Sequence, residues 1–159
     1  MLKYISLFTL ISGSLLGCRN NVTHELIEGI SAECPRKSNK CVVSLKTAVH
    51  FEWDRLYFFN SWTTADSVRN TIKFDYHGSD VKDDYKRMVF VQNNKVVYEE
   101  DYKFFDYNSS TVDFPDLPDS LLQTTKPYLT PNKSTFTVKS YKKDPVCKEC
   151  FDYRLFLIR

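Results

Sequence analysis

Glycine is scarce in this chain, and the motifs that mark common catalytic sites are missing from it. Only 4 of the 159 residues are glycine. The sequence has neither of the glycine-rich motifs that bind phosphate, and no G-x-S-x-G turn that would present a nucleophilic serine. The histidines, His24, His50 and His77, match no metal-binding spacing. We therefore expect no catalytic residue, no metal site and no cofactor.

Net charge and long apolar runs are also lacking after the first residues. The chain has 22 basic and 20 acidic side chains, and no segment concentrates the basic ones. Nucleic-acid binding requires a basic patch, so this mixed surface argues against it. After residue 17, no apolar run reaches the length of about 20 residues that a membrane-spanning helix needs. We expect one ordinary domain without a nucleic-acid partner.

The first 17 residues have the three parts of a secretory signal. Lys3 provides a positive start, residues 4–16 form an apolar run, and the small residue Gly17 follows. The run has the length of a signal-peptide core and is too short for a permanent membrane span. A buried N-terminal helix is the alternative, but it leaves Lys3 and the pair Gly13 and Gly17 unexplained.

The residues Leu15, Leu16, Gly17 and Cys18 resemble the lipobox of bacterial lipoproteins. In that family the cysteine thiol receives a lipid, the chain is cut before it, and acyl chains such as palmitate hold the protein to the membrane. The resemblance implies cleavage between Gly17 and Cys18, lipidation of Cys18 and a location in the cell envelope. Arg19 replaces the Asp that retains some lipoproteins at the inner membrane, which implies the outer membrane in a Gram-negative cell. An ordinary secretory signal that happens to precede Cys18 is the alternative.

The other cysteines are Cys34, Cys41, Cys147 and Cys150. An even number in an exported protein indicates disulfide bonds. We expect the pairs Cys34–Cys41 and Cys147–Cys150, because each is close in sequence and flanks a turn-like segment. Cross-pairing between the two groups stays open. A redox pair at Cys147 and Cys150 and a zinc site stay open too, although acidic neighbours and an oxidising compartment disfavour thiolates.

The composition divides the chain into three parts. Residues 1–17 are the signal peptide, residues 18–33 are polar and are expected to form a lipidated tether, and residues 34–159 form a single domain. Aromatic and β-branched residues are frequent in that domain and favour strands. We predict an α+β fold with a mostly antiparallel sheet of about six strands and one main helix, stapled by disulfides.

Local patterns place several elements of this fold. In residues 51–60 the aromatic side chains recur at every second position and are predicted to share one face of a strand: Phe51, Trp53, Tyr57 and Phe59. Residues 63–72 follow as an amphipathic helix capped by Thr63 or Thr64. This strand–turn–helix pattern resembles small exported bacterial proteins, a resemblance that supports the fold and implies no particular activity.

Two further strand pairs are predicted along the chain. In residues 87–99, Asn93 and Asn94 separate two apolar runs, as in a tight hairpin. Residues 134–141 and 151–159 are expected to close the sheet as a second pair.

Few side chains indicate a function directly. Asp54 is most simply explained by pairing with Arg55 or by accepting a backbone hydrogen bond. The aromatic residues Phe104, Phe105 and Tyr107 border an irregular loop and form the candidate contact surface.

The combined features predict a non-catalytic, lipid-anchored envelope protein that binds a protein partner or has a structural role. One alternative is a periplasmic inhibitor or immunity-type protein. Another is a thiol-redox or metal-binding protein that uses Cys147 and Cys150.

Overall fold

The computed structural model describes residues 21–34, 41–115, 117, 126–143, 147 and 149–158. The helices in this part of the chain are α1 (Val22–Glu33), α2 (Leu45–Ala48) and α3 (Ala65–Ile72), with a 3₁₀ turn at Pro131–Lys133. The strands are β1 (Cys41–Ser44), β2 (Arg55–Phe59), β3 (Tyr85–Gln92), β4 (Lys95–Lys103), β5 (Thr111–Asp113), β6 (Thr135–Lys142) and β7 (Phe151–Leu157). The predicted α+β class is confirmed.

The described strands form two sheets rather than a single one. The order of strands is β1-β6-β7-β5 in one sheet and β2-β3-β4 in the other. Neighbouring strands are antiparallel except β5 and β7, which are parallel. Sequence periodicity identifies the two faces of a strand but not the neighbours of that strand, so the division into two sheets could not be read from it.

The three-stranded sheet lies in the middle of the molecule. On β2, Leu56 and Phe58 belong to a core shared with the four-stranded sheet and α1, whereas Tyr57 and Phe59 belong to a second core against α3. The central strand β3 alternates in the same way between the two cores. The layers are therefore the four-stranded sheet, the three-stranded sheet and α3, with α1 packed into the first core.

Strand β2 begins later than predicted, which changes the aromatic residues that share a face. The rings of Phe51 and Trp53 lie 5.1 and 5.4 Å from the ring of Phe90, measured between centroids, in the core between the sheets. Tyr57 and Phe59 point into the other core. The chain bends before β2, so the alternation is interrupted and the prediction of one shared face is wrong.

Local signals located α3 and the β3–β4 hairpin correctly. The Thr64 side chain caps α3 by accepting a hydrogen bond from the Ser67 amide. Asn93 and Asn94 form the hairpin turn with φ angles of 51° and 61°, in the left-handed region that asparagine tolerates better than most residues. Strands β6 and β7 also pair antiparallel as predicted.

The predicted tether at residues 18–33 is wrong from Val22 onwards, because these residues form helix α1. Three aliphatic residues recur at helical spacing and are at most 3% exposed: Val22, Leu26 and Ile30. Burying such a side chain contributes about 1.5–3 kcal/mol, which exceeds the cost of about 1 kcal/mol for Gly29 within the helix. The folded domain therefore begins before the predicted boundary at residue 34.

The disulfides follow the expected pairing. Cys34 is bonded to Cys41 and Cys147 to Cys150, with Cα–Cα distances of 5.5 and 5.3 Å. The first bond links the end of α1 to the start of β1, and the second closes the connection between β6 and β7. Neither cross-pairing is formed.

The start of α1 is held against β4 by a buried carboxylate. The Thr23 amide donates to Glu100 Oε2 at 3.4 Å, and the Tyr98 hydroxyl donates to the same oxygen at 3.0 Å. Glu100 is only 6% exposed, and this burial raises its pKa above the ordinary value. The carboxylate thus binds the free amides that begin every helix.

A buried ion pair lies on the α3 side of the same sheet. Arg87 on β3 donates to Asp101 on β4, with Nη2 and Oδ2 2.7 Å apart, and it also donates to the hydroxyl of Tyr76 and the carbonyl of Ser79. The Asp101 carboxylate keeps the pKa of Arg87 above its usual range, and burial raises the pKa of Tyr76 to about 12. These contacts fix the loop before β3 on the sheet.

Candidate interaction surface

The predicted cleavage and lipidation site, Gly17 and Cys18, lies outside the described residues and stays a prediction. Within the described part of the chain, no helix is long and apolar enough to span a bilayer. In that same part, no three His, Cys, Asp or Glu side chains are grouped so that they could hold a metal ion. A zinc site would also need free thiolates, whereas the structure pairs Cys147 with Cys150.

The predicted contact residues lie on residues 104–110, which follow β4 and are here named the aromatic loop. Phe105 and Tyr107 are 48% and 65% exposed, and their rings meet edge to face with centroids 4.6 Å apart. Phe104 is partly buried against the core between the sheets. The cluster therefore divides into one anchoring ring and two rings that are available for contact.

Lys143, at the end of β6, fastens the aromatic loop to the four-stranded sheet. Its ammonium group donates to the carbonyls of Ser109, at 2.9 Å, and Asp106. It also lies 2.7 Å from Asp152 Oδ1 and 5.6 Å from the centroid of the Phe105 ring. The Lys143 side chain is only 8% exposed, so the loop is held by a nearly buried cation.

A second lysine–aspartate pair supports the other side of the loop. Lys86 Nζ is 2.7 Å from Asp113 Oδ1, and the two side chains are 13% and 18% exposed. The same ammonium group lies 4.8 Å from the centroid of the Phe104 ring. This pair neutralises its own charge and positions the anchoring ring, so we assign it a structural role.

In the described part of the chain, no helix or strand packs over the centre of the outward face of the four-stranded sheet. We name it the open face and define it by five residues on β1, β6 and β7: Val42, Lys139, Tyr141, Arg154 and Phe156. Val42 and Tyr141 are 53% and 42% exposed. Lys139 and Arg154 are directly opposite each other on paired strands.

Cations and rings alternate across the open face. The Lys139 ammonium lies 4.9 Å from the centroid of the Phe156 ring, and the Arg154 guanidinium carbon lies 4.7 Å from that of Tyr141. Such cation–π contacts stabilise both groups by roughly 0.5–1 kcal/mol at exposed sites. Among the described residues, no ion pair includes Lys139 or Arg154.

The aromatic loop and the open face are neighbours that contribute residues to the same cavity. A cavity of about 340 Å³ separates them, with walls that include Phe105 and Thr111 on one side and Arg154 on the other. The aspartates beside it, Asp113 and Asp152, are already paired with lysines. The surface therefore offers aromatic rings together with two cations, Lys139 and Arg154, that form no ion pair with any described carboxylate.

The sequence alone did not reveal Lys139, Tyr141, Arg154 and Phe156 as a group. A signal was present, because on β6 and β7 these residues alternate with buried ones such as Val138 and Leu155. Their juxtaposition, however, depends on the register between the two strands.

Asp54 has the role expected from the sequence. Its carboxylate oxygen Oδ1 lies 2.9 Å from Arg55 Nε, which confirms the predicted pairing of Asp54 with Arg55.

Comparisons with protein-family models, with curated proteins and with solved structures return no match for this chain. The function is therefore inferred from the residues of this molecule.

Proposed function

We propose that this protein is a non-catalytic, lipid-anchored binding protein of the cell envelope. The resemblance of residues 15–18 to a lipobox supports the anchor and the export. The open face, together with the exposed rings of the aromatic loop, supports binding. The observation on which the proposal chiefly rests is that Lys139 lies beside the half-buried ring of Phe156 and Arg154 beside the exposed ring of Tyr141. No other described element covers this face of the sheet.

The chemistry of the open face favours a protein partner with an acidic and partly apolar surface. Aromatic residues and arginine are enriched in protein interfaces, whereas a solvated sheet face ordinarily has polar side chains. An acidic partner would complement Lys139 and Arg154, accelerating association and selecting the orientation of binding. Tyr141 and Phe156 would supply rigid contact area that few rotatable bonds need to order.

The anchor is tested by metabolic labelling with radioactive palmitate. The wild-type chain should incorporate label, and Cys18→Ala should incorporate none because the acceptor thiol is gone. Leu16→Val, a change at the tolerant position of the lipobox, serves as the matched control and should keep the label. A wild-type protein that is secreted without label, or cleaved at another residue, would refute the anchor.

Binding is tested by photo-cross-linking in intact cells. A photoreactive amino acid at Tyr141 should capture one partner, which mass spectrometry identifies. The same amino acid at Asp66, which is exposed on α3, should not capture that partner. Cross-linking of equal strength at both positions would contradict binding through the open face.

Charge reversal then tests the chemistry of the surface. The double change Lys139→Glu and Arg154→Glu should abolish cross-linking at Tyr141, and purified wild-type complex should weaken as salt increases. Reversal of Lys95 and Arg69, which lie outside the open face, is the matched control. If the partner is an enzyme or toxin whose activity falls in the complex, the inhibitor or immunity-type alternative is correct.

A further inference from the structure

A second concave region lies on the α3 side of the three-stranded sheet, facing away from the four-stranded sheet. It forms where the start of β2, the end of α3, the β3–β4 turn and residues 127–128 meet, and its volume is about 540 Å³. Small-molecule sites in proteins commonly have volumes of about 300–1,000 Å³. We name it the Arg55 cavity; its walls include Arg55, Tyr57, Lys73, Phe74, Asn94 and Tyr128.

The guanidinium of Arg55 is held in this cavity by hydrogen bonds and by two aromatic rings. Its Nε donates to Asp54 at 2.9 Å and its Nη2 donates to Asn94 Oδ1 at 2.5 Å. Its central carbon lies 5.6 and 5.9 Å from the ring centroids of Phe74 and Tyr128. A ligand would therefore meet a guanidinium that is already ordered, which lowers the entropic cost of binding.

The walls of the cavity combine positive charge with aromatic surface. Arg55 and Lys73 contribute cations, and no described carboxylate lines the cavity. Asp54 partly neutralises Arg55 through Oδ1, and its other oxygen, Oδ2, accepts a hydrogen bond from the Asn93 amide at 2.8 Å. A guanidinium has five N–H donors in a planar fork, and the contacts with Asp54, Asn94 and the Tyr57 hydroxyl engage only part of that fork.

The end of α3 restricts the kind of anion that fits. The helix stops at Lys73, whose φ of 62° is left-handed and whose amide donates to the Arg69 carbonyl. The last carbonyl groups of a helix lack intrahelical partners and carry partial negative charge. A singly charged group is therefore matched better than a polyphosphate.

We propose that the Arg55 cavity binds a small monocarboxylate with a flat, apolar body. The carboxylate would accept hydrogen bonds from Arg55 and from the ammonium of Lys73, and the flat body would lie against Phe74 and Tyr128. This site is separate from the open face, and the proposal does not depend on lipidation or on a protein partner.

The test is to titrate the purified full chain with three probes of matched size or charge. NMR chemical shifts of the protein report the binding of each probe. Benzoate has both the carboxylate and the ring, benzamide lacks the charge, and acetate lacks the ring. Benzoate should bind saturably and shift the resonances of Phe74 and Tyr128, whereas benzamide and acetate should bind at least about tenfold more weakly. Equal affinity for benzoate and benzamide, or no saturable binding of benzoate, would overturn the proposal.

Variants assign the binding to the cavity. Arg55→Gln should weaken benzoate binding at least about tenfold, and Phe74→Ala should weaken it while leaving the charge intact. Arg69→Gln, on the exposed side of α3, is the matched control and should bind benzoate as the wild type does. If Arg55→Gln does not fold, the benzoate affinities of Phe74→Ala and Arg55→Lys test the assignment of binding to this cavity instead. Unchanged affinity in both of these folded variants would reject the site.

Discussion

The two sheets formed by the described strands both contain cations and aromatic rings, but these residues have different roles in each sheet. In the three-stranded sheet, β2 and β3 are buried on both faces, and the ion pair of Arg87 with Asp101 is enclosed beneath the loop before β3. In the four-stranded sheet, one face is packed and the other exposes Lys139 and Arg154 beside aromatic rings. An enclosed cation determines stability, whereas an exposed one beside a ring remains free to contact a partner.

The carboxylates sharpen this difference. Asp113 and Asp152, near the open face, each contact a lysine ammonium at 2.7 Å. Glu100, inside the first core, accepts hydrogen bonds from the neutral side chains of Thr23 and Tyr98. No cation among the described residues pairs with Glu100, so this buried carboxylate bears a desolvation cost that the two partly exposed aspartates largely avoid. The buried polar groups of the three-stranded sheet thus have structural roles: Glu100 holds α1, and Arg87 holds the loop before β3.

The largest difference between the sheets should appear when a ring is removed. Phe90→Ala empties a position that is 0% exposed and should lower the free energy of unfolding by about 4 kcal/mol. Phe156→Ala, on the open face, should cost about 1 kcal/mol or less. Chemical denaturation measures both changes, and similar losses would show that the open face is in fact packed.

A smaller difference is expected when an arginine is removed. Arg87→Met leaves Asp101 without its cation and should cost about 3 kcal/mol, at the low end for broken buried pairs because the Asp101 side chain is 27% exposed. Arg154→Met should change stability by no more than about 0.5 kcal/mol while weakening partner binding. The comparison fails if Arg154→Met destabilises the fold as much as Arg87→Met.

The smallest effect concerns pH. Burial raises the pKa of Glu100 in the folded state. At pH values between the unfolded and the folded pKa of this group, the folded protein therefore binds more protons than the unfolded chain. Stability from this group is therefore present at low pH and is lost as pH rises through the folded pKa. Glu100→Gln should remove that part of the pH dependence in denaturation curves. Glu28→Gln, an exposed change on α1, the helix whose start Glu100 binds, should preserve it.

Local patterns predicted much of the fold because their physical causes are local. The N-cap of α3 at Thr64 and the turn at Asn93 and Asn94 depend on neighbouring residues alone. The disulfide pairs Cys34–Cys41 and Cys147–Cys150 are likewise short-range. Helix α1 was missed because its polar residues outnumber its buried ones, and its stability comes from a core that other segments build.

The candidate sites likewise contain some residues that local sequence predicted and others that only long-range contacts bring together. Phe105 and Tyr107 were predicted because they are adjacent in sequence and border a loop, and the structure leaves both exposed. Lys143, which fastens that loop, could not be predicted, because it lies more than thirty residues away from the carbonyls it contacts (separations of 34 and 37 residues). The Arg55 cavity likewise combines four separate segments of the chain.

The sequence by itself determined the α+β class and the turn and cap residues, and it gave the expected cysteine pairing, with cross-pairing left open, and the prediction of an anchor at Cys18. Only the tertiary structure decided that the described strands form two sheets, that α1 belongs to the core, and that Lys139, Tyr141, Arg154 and Phe156 form one face. The reason is physical: caps and turns depend on neighbouring residues, whereas a surface depends on strand order and register, which long-range packing selects.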